Sequence, residues 1–170
     1  LFAITFAYKG YYAIVKPSWK LTAIDIGQGD SLLLTTPSGS HILVDAGDIK
    51  RQDSGKDIIV PYLHHIGVSK LDALVITHPD QDHFGGAASI IKMFPVKELW
   101  LTDCARIDEK ENWQQVISEA YRRGILIRDI SRGVLYKEKF FEIKVIHPDT
   151  KHCVDANTQS ISFRVKGLGR

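Results

Sequence analysis

Apolar residues recur along the chain in two rhythms, and the switches between them mark out its elements. Short runs of leucine and β-branched residues, closed by glycine, proline or serine, predict strands. KLTAIDI (20–26) is the first, GQGD (27–30) its turn, and SLLLTT (31–36) its partner. PSGS (37–40) is a second turn and HILVDAG (41–47) a third strand, so this part reads as a β-meander. The rhythm then lengthens. DIIVPYLHHIG (57–67) has helical spacing and stops at Gly67, while GGAASIIKMF (85–94) reads as a helix ended by Pro95. EKENWQQVISEAYRRG (109–124) puts Trp113, Val116, Ile117 and Ala120 on one helical face, and Gly124 follows its end. Between these helices lie LDALVIT (71–77), a run of the kind buried on both faces, and KELWLT (97–102). ILIRDI, GVLYKEKFFEIKVI and TQSISFRVKG return to strand character. Strands interspersed with helices predict an α/β layered domain in which helices cover a mixed sheet.

A length of 170 residues suits one domain with a sizeable core, and 44% apolar with 25% charged residues is ordinary for a globular protein. The formal net charge of +2 neither requires nor excludes a nucleic-acid partner. Cys104 and Cys153 allow one bridge and form no CxxC pair. The opening LFAITFAYKGYYAIV is apolar but broken by Lys9 and Gly10. It is shorter than the roughly 20 residues a membrane span needs and lacks the features of a signal peptide. Residues 1–19 are therefore expected to be a lead-in, either the end of a membrane helix or an edge strand or loose terminus, and residues 20–170 the domain. A start at Leu1 and an end at KGLGR, which reads as a hairpin turn without its return strand, lead to the expectation of an incomplete domain from a longer protein.

The chemistry concentrates in ITHPDQDHFGG (76–86), where His78, Asp80, Asp82 and His83 fall within six positions after a β run. Ligands gather beyond the carboxyl ends of strands in open α/β sheets. His78 and Asp80 are two apart and share a side of an extended segment, and Pro79 favours that extension. Gly85 and Gly86 allow close backbone approach and a helix start, and that helix N-terminus would lie near a bound anion such as phosphate. Imidazole and carboxylate are common ligands of divalent cations, and a pair of ions about 4 Å apart can clamp a phosphoryl group. The plainer reading, a solvated turn, suits a lone His or Asp better than four ligands together.

The stretch resembles the H-x-H-x-D-H motif of metallo-β-lactamase fold hydrolases, here His78-Pro79-Asp80-Gln81-Asp82-His83, with aspartate in place of the middle histidine. Together with Asp25–Asp30 (DIGQGD) and Asn157–Ser160 (NTQS), the chain from about residue 20 onward resembles the hydrolase domain of the competence protein ComEC family. The resemblance implies an αββα sandwich with mixed sheets flanked by helices. It implies two divalent metal ions on His78, Asp80, Asp82 and His83, with Asp82 also accepting a proton from the attacking water. It further implies hydrolysis of DNA phosphodiesters, degrading one strand while the other enters the cell. Asp80 hardens the donor set and favours Mn²⁺, with Zn²⁺ or Mg²⁺ as alternatives; no small-molecule cofactor is expected. The parent protein would lie in the bacterial cell membrane, with this domain on the extracytoplasmic face beside a membrane channel domain of the same chain and DNA as substrate. The family's T-G-D and H-H-G-S motifs are absent from the chain, so weak metal binding and little turnover are expected of it alone.

Other residues carry weaker signals. Asp45 ends a strand and matches an acid that orients ligands in the family, although an Asp before Ala-Gly is also an ordinary turn former. Gln28 and Gly29 belong to a turn that could reach the substrate, and Asn157 could offer a weak oxygen ligand. His64 and His65 do not share a helix face and read as surface residues. His147, His152 and Cys153 read as loop or strand-end residues, His41 as solvent-facing on an edge strand, and Trp113 as core. Lys50, Arg51 and Lys56 could meet DNA phosphates, but a solvated loop explains them as well. Two rival functions remain open: hydrolysis of another ester, such as a cell-wall phosphoester or a small lactone, and a catalytically dead binding module.

Overall fold

The computed structural model describes residues 18–50, 52–133, 135–138, 141–148 and 157–167. Residues 1–17 of the expected lead-in (1–19), Arg51, His152 and Cys153 lie outside the described residues.

β1 (Lys20–Ala23), β2 (Leu32–Thr35) and β3 (His41–Val44) form the expected antiparallel meander. β3 then pairs in parallel with β4 (Ala73–Val75), which pairs in parallel with β5 (Glu98–Leu101), and β5 with β6 (Leu126–Asp129). The six strands lie side by side in sequence order. Parallel neighbours need long crossovers, and the helices supply them. A π-helical turn (Gly55–Ile59) and α1 (Val60–His65) lead from β3 to β4. Two short helices, α2 (Gln81–Phe84) and α3 (Ala87–Met93), lead to β5. α4 (Asp103–Ile107) and α5 (Glu111–Arg122) lead to β6. A second, antiparallel sheet holds β7 (Leu135–Glu138), β8 (Phe141–His147) and β9 (Ser162–Gly167).

Alternation along the large sheet divides its side chains between two cores. Leu33, Leu43, Leu74 and Leu99 pack against Leu63, Ile90, Ile91, Trp113 and Val116 from the helices. Their sequence neighbours Leu34, Ile42, Val75 and Trp100 pack with Phe141, Ile143 and Val145 of the small sheet. Burial on both faces is why these strands read as continuous apolar runs. Helices, large sheet and small sheet are three successive layers of the expected αββα arrangement.

Three local expectations are corrected. β1 stops at Ala23, shorter than the expected run to Ile26: the Ile24 amide still donates to Ser31 O at 2.9 Å, and the turn begins where Asp25 Oδ1 accepts the Gly27 amide at 3.2 Å. The helix at Asp103–Ile107, unforeseen, is capped by Thr102, whose Oγ1 accepts the Ala105 amide at 3.1 Å. β3 is an interior strand, so His41 is not on an edge; it is half-buried, with Nδ1 3.2 Å from Thr35 Oγ1 and its amide on Asp72. Trp113 is core and His64 and His65 are exposed, as expected. Cys104 is disulfide-bonded. Among the described residues no helix is long and apolar enough to cross a membrane.

Candidate metal centre

β3 and β4 end side by side, and each is followed by a residue that builds the site. The Asp45 amide donates to Val75 O at 2.8 Å, which ties the two strand ends together. Asp45 is only 3% exposed and has φ 61°, an unfavourable region for a residue with a Cβ. What holds it there is its carboxylate. Oδ1 accepts the Thr77 amide at 2.8 Å, and Oδ2 accepts both the Thr77 hydroxyl and His83 Nδ1 at 2.8 Å. A buried carboxylate with three donors is satisfied, and the strained backbone persists because its surroundings demand it.

These bonds assign the protons of both imidazoles. An ionised carboxylate only accepts, so His83 Nδ1 and the Thr77 hydroxyl must both donate to Asp45. Thr77, having spent its proton, can only accept from His78 Nδ1, 3.0 Å away. Ser160 Oγ lies 3.2 Å from the same nitrogen. In their neutral forms both histidines therefore carry their proton on Nδ1 and keep the lone pair of Nε2 free, the form that ligates a cation. The rings lie 4.0 Å apart between centroids. Burial pushes the His78 imidazole below its ordinary value, and the neighbouring His83 adds to this. The hydrogen bond to Asp45 raises His83.

Each free Nε2 faces one carboxylate: His78 lies 3.5 Å from Asp80 Oδ2, and His83 lies 3.8 Å from Asp82 Oδ2. Asp82 is 58% exposed. Asp82 and His83 sit on α2, not in an open loop, with Asp80 at its N-cap. Phe84 anchors this turn against Trp113, ring centroids 5.1 Å apart. The Gly85 and Gly86 amides donate to Gln81 O and Ala46 O, so neither is free for a phosphate, and the helix starts after them, at Ala87. Gly86 packs directly on the backbone of Gly55 and Ala46, where a Cβ would collide.

The GQGD turn has a role as well. Gly29 (φ 91°) lies so close to Asp82 that a Cβ would run into the Asp82 carbonyl, and the Asp30 amide donates to that carbonyl at 3.3 Å. Gln28 is exposed. The Asn157 side chain lies outside the described residues, although a 3-10 turn (Asn157–Gln159) begins there. His147 Nε2 bonds to Thr158 O and takes no part in the cluster.

Among the described residues no three His, Cys, Asp or Glu side chains come together closely enough to hold an ion. The donors fit a cation in type and protonation but are arranged as two His–Asp pairs. Asp80 is also engaged elsewhere, since its Oδ1 accepts from Lys110 Nζ at 2.8 Å. That hydrogen bond holds the Asp80 carboxyl below the usual range. Thr77 and Lys110 escaped the sequence reading, as did the contact of Ser160 with His78. Thr77 directly precedes the motif, which is a signal, whereas nothing local points to Lys110.

A family model described as the Metallo-beta-lactamase superfamily matches residues 24–152, and the chain belongs to that superfamily. Within it, the chain is 28% identical over 163 residues to ComE operon protein 3 of Bacillus subtilis, covering 88% of this chain and 21% of that protein. It is 40% identical over 85 residues to Recombination protein 2 of Haemophilus influenzae, covering 49% and 10%. Against Competence protein ComA of Neisseria gonorrhoeae it is 41% identical over 73 residues, covering 43% and 10%. These relatives bear out the resemblance to the ComEC competence family, and the chain spans about a fifth or less of their length. Among solved structures, a Cronobacter sakazakii metallo-β-lactamase with a HARLDQ motif has a TM-score of 0.55 at 18% identity, over 85% of this chain and 54% of that one. The metallo-β-lactamase fold protein YhfI of Bacillus subtilis has 0.54 at 16%, over 86% and 58%. At such identities the structures speak to the fold alone. Family and relatives support a metal-dependent hydrolase.

Proposed function

We propose that the chain is the catalytic domain of a two-metal phosphodiesterase that cuts DNA during uptake. The observation that carries this reading is the paired geometry: Asp45 and Thr77 engage Nδ1 of the two imidazoles, and each Nε2 faces its own carboxylate. His78 with Asp80, and Asp82 with His83, would each hold one divalent ion, Mn²⁺ before Zn²⁺ or Mg²⁺ because half of the donors are hard carboxylates. Bound ions would neutralise phosphoryl charge and acidify water. Asp82, exposed at the edge of the cluster, is the residue placed to accept a proton. Asp45 acts through His83, and Thr77 through His78, as positioning residues.

The name of one relative, Competence protein ComA, supports DNA as the substrate; a membrane-bound parent with this domain outside the cytoplasm, beside its channel domain, belongs to the same proposal. The test is hydrolysis by the purified chain, with Mn²⁺, of single-stranded DNA, duplex DNA and bis(p-nitrophenyl) phosphate. Slow DNA cleavage by the chain alone, lost on chelation and on Asp82→Ala, is expected. Cleavage of the small diester without DNA would favour another ester substrate, and no cleavage of either would contradict the nuclease reading.

A further inference from the structure

We propose that Lys110 is a built-in counter-cation for Asp80, one that competes with a divalent ion for this carboxylate and so sets the metal affinity of the cluster. The proposal rests on the metal reading above.

Lys110 stands immediately before α5, 30 residues from Asp80 in sequence. Its ammonium lies 2.8 Å from Asp80 Oδ1 and 2.8 Å from Pro79 O, so it grips the segment that carries the ligand. The other oxygen of Asp80 points to His78 Nε2 at 3.5 Å. One carboxylate is thus shared between a fixed monovalent cation and the place a divalent ion would take. Two like-charged cations on one carboxylate repel each other, and the ammonium also draws on the charge that would bind the metal.

The ammonium has somewhere to go. Asp108 Oδ2 is already within 3.8 Å of it. A cleft of about 510 Å³, lined by Lys50, Asp80, Gln81, Asp82, Lys110 and Glu111 among others, opens beside it. Lys110 is 49% exposed and Asp80 32%, so the exchange opens no core. By contrast, Asp45 is buried, and its carboxylate is already engaged by Thr77 and His83.

The test is calorimetric titration of Mn²⁺ into the 170-residue chain and its Lys110→Met and Lys110→Arg variants. Lys110→Met is expected to bind Mn²⁺ about tenfold more tightly, since removing the ammonium frees the carboxylate. Lys110→Arg restores a cation and is expected to remain within about threefold of wild type. Adding Asp80→Asn to Lys110→Met should abolish the gain. Unchanged or weaker binding by Lys110→Met, beside a wild type that does bind, would overturn the role of Lys110 and leave the metal site standing. If none of the proteins binds Mn²⁺, the metal reading fails and this one with it.

Discussion

The two His–Asp pairs are held by opposite means. On the inner side, His83 is fixed through Nδ1 to Asp45, which is buried, backbone-strained and bonded twice to Thr77. On the outer side, Asp80 is fixed by Lys110, a half-exposed side chain from the edge of another helix. The imidazoles are thus oriented by side-chain bonds formed where β3 and β4 end. The carboxylates answer to solvent and to a displaceable cation. Such a division lets a fold hold a rigid half-site while leaving affinity to be tuned from the surface.

The difference can be attacked from the inner side first, where the largest effect is expected. Asp45→Ala leaves the part-buried Thr77 amide without its acceptor and releases His83. It should cost about 3 kcal/mol of stability in urea denaturation and weaken Mn²⁺ binding at least about tenfold. Gly29→Ala comes next. It places a Cβ against the Asp82 carbonyl at φ 91° and should cost about 2 kcal/mol, whereas Gly27→Ala, at φ 81° but facing open space, should cost only about 1 kcal/mol. Equal losses in the two variants would show that the GQGD turn does not brace Asp82.

Glu98 offers a control, an acid–cation pair away from the motif. Burial alone would raise its carboxyl, but hydrogen bonds from Arg128 and Trp100 outweigh burial and hold it below 4.5. A depressed carboxyl contributes stability that is complete above pH 4.5 and is lost as pH falls through the lowered value. Glu98→Gln should therefore narrow the stability difference between pH 7 and pH 3, by about 1 kcal/mol given the half-exposed Arg128, without changing Mn²⁺ affinity at pH 7. Lys50→Ala is expected to do least. It lines the cleft without a contact to Asp80, so stability and Mn²⁺ affinity should stay within error, and a change as large as that of Lys110→Met would blur the distinction between the two lysines.

What could be read from the sequence follows the reach of local patterns. The meander, the buried β4 run and the Trp113 face are periodic over several residues, and the four ligands are contiguous, so all were legible. α2 was not, because four residues carry no period and its helical turn is held by Phe84 against Trp113. Asp45 could be nominated from its position at a strand end. Its bond to His83 spans 38 residues and exists only because β3 and β4 are parallel neighbours. Lys110 and the contact of Ser160 with His78, 82 residues apart, had no local signature at all. The glycines after the motif were rightly marked for close backbone approach, but what approaches is Gly55 and Ala46, not an anion.

The most direct measurement is anomalous diffraction at the manganese edge from crystals of this chain grown in excess Mn²⁺. Two peaks are expected, one beside Nε2 of His78 with Asp80, the other beside Nε2 of His83 with Asp82. A map with no anomalous density there, and with both His–Asp pairs surrounded by water alone, would contradict the account.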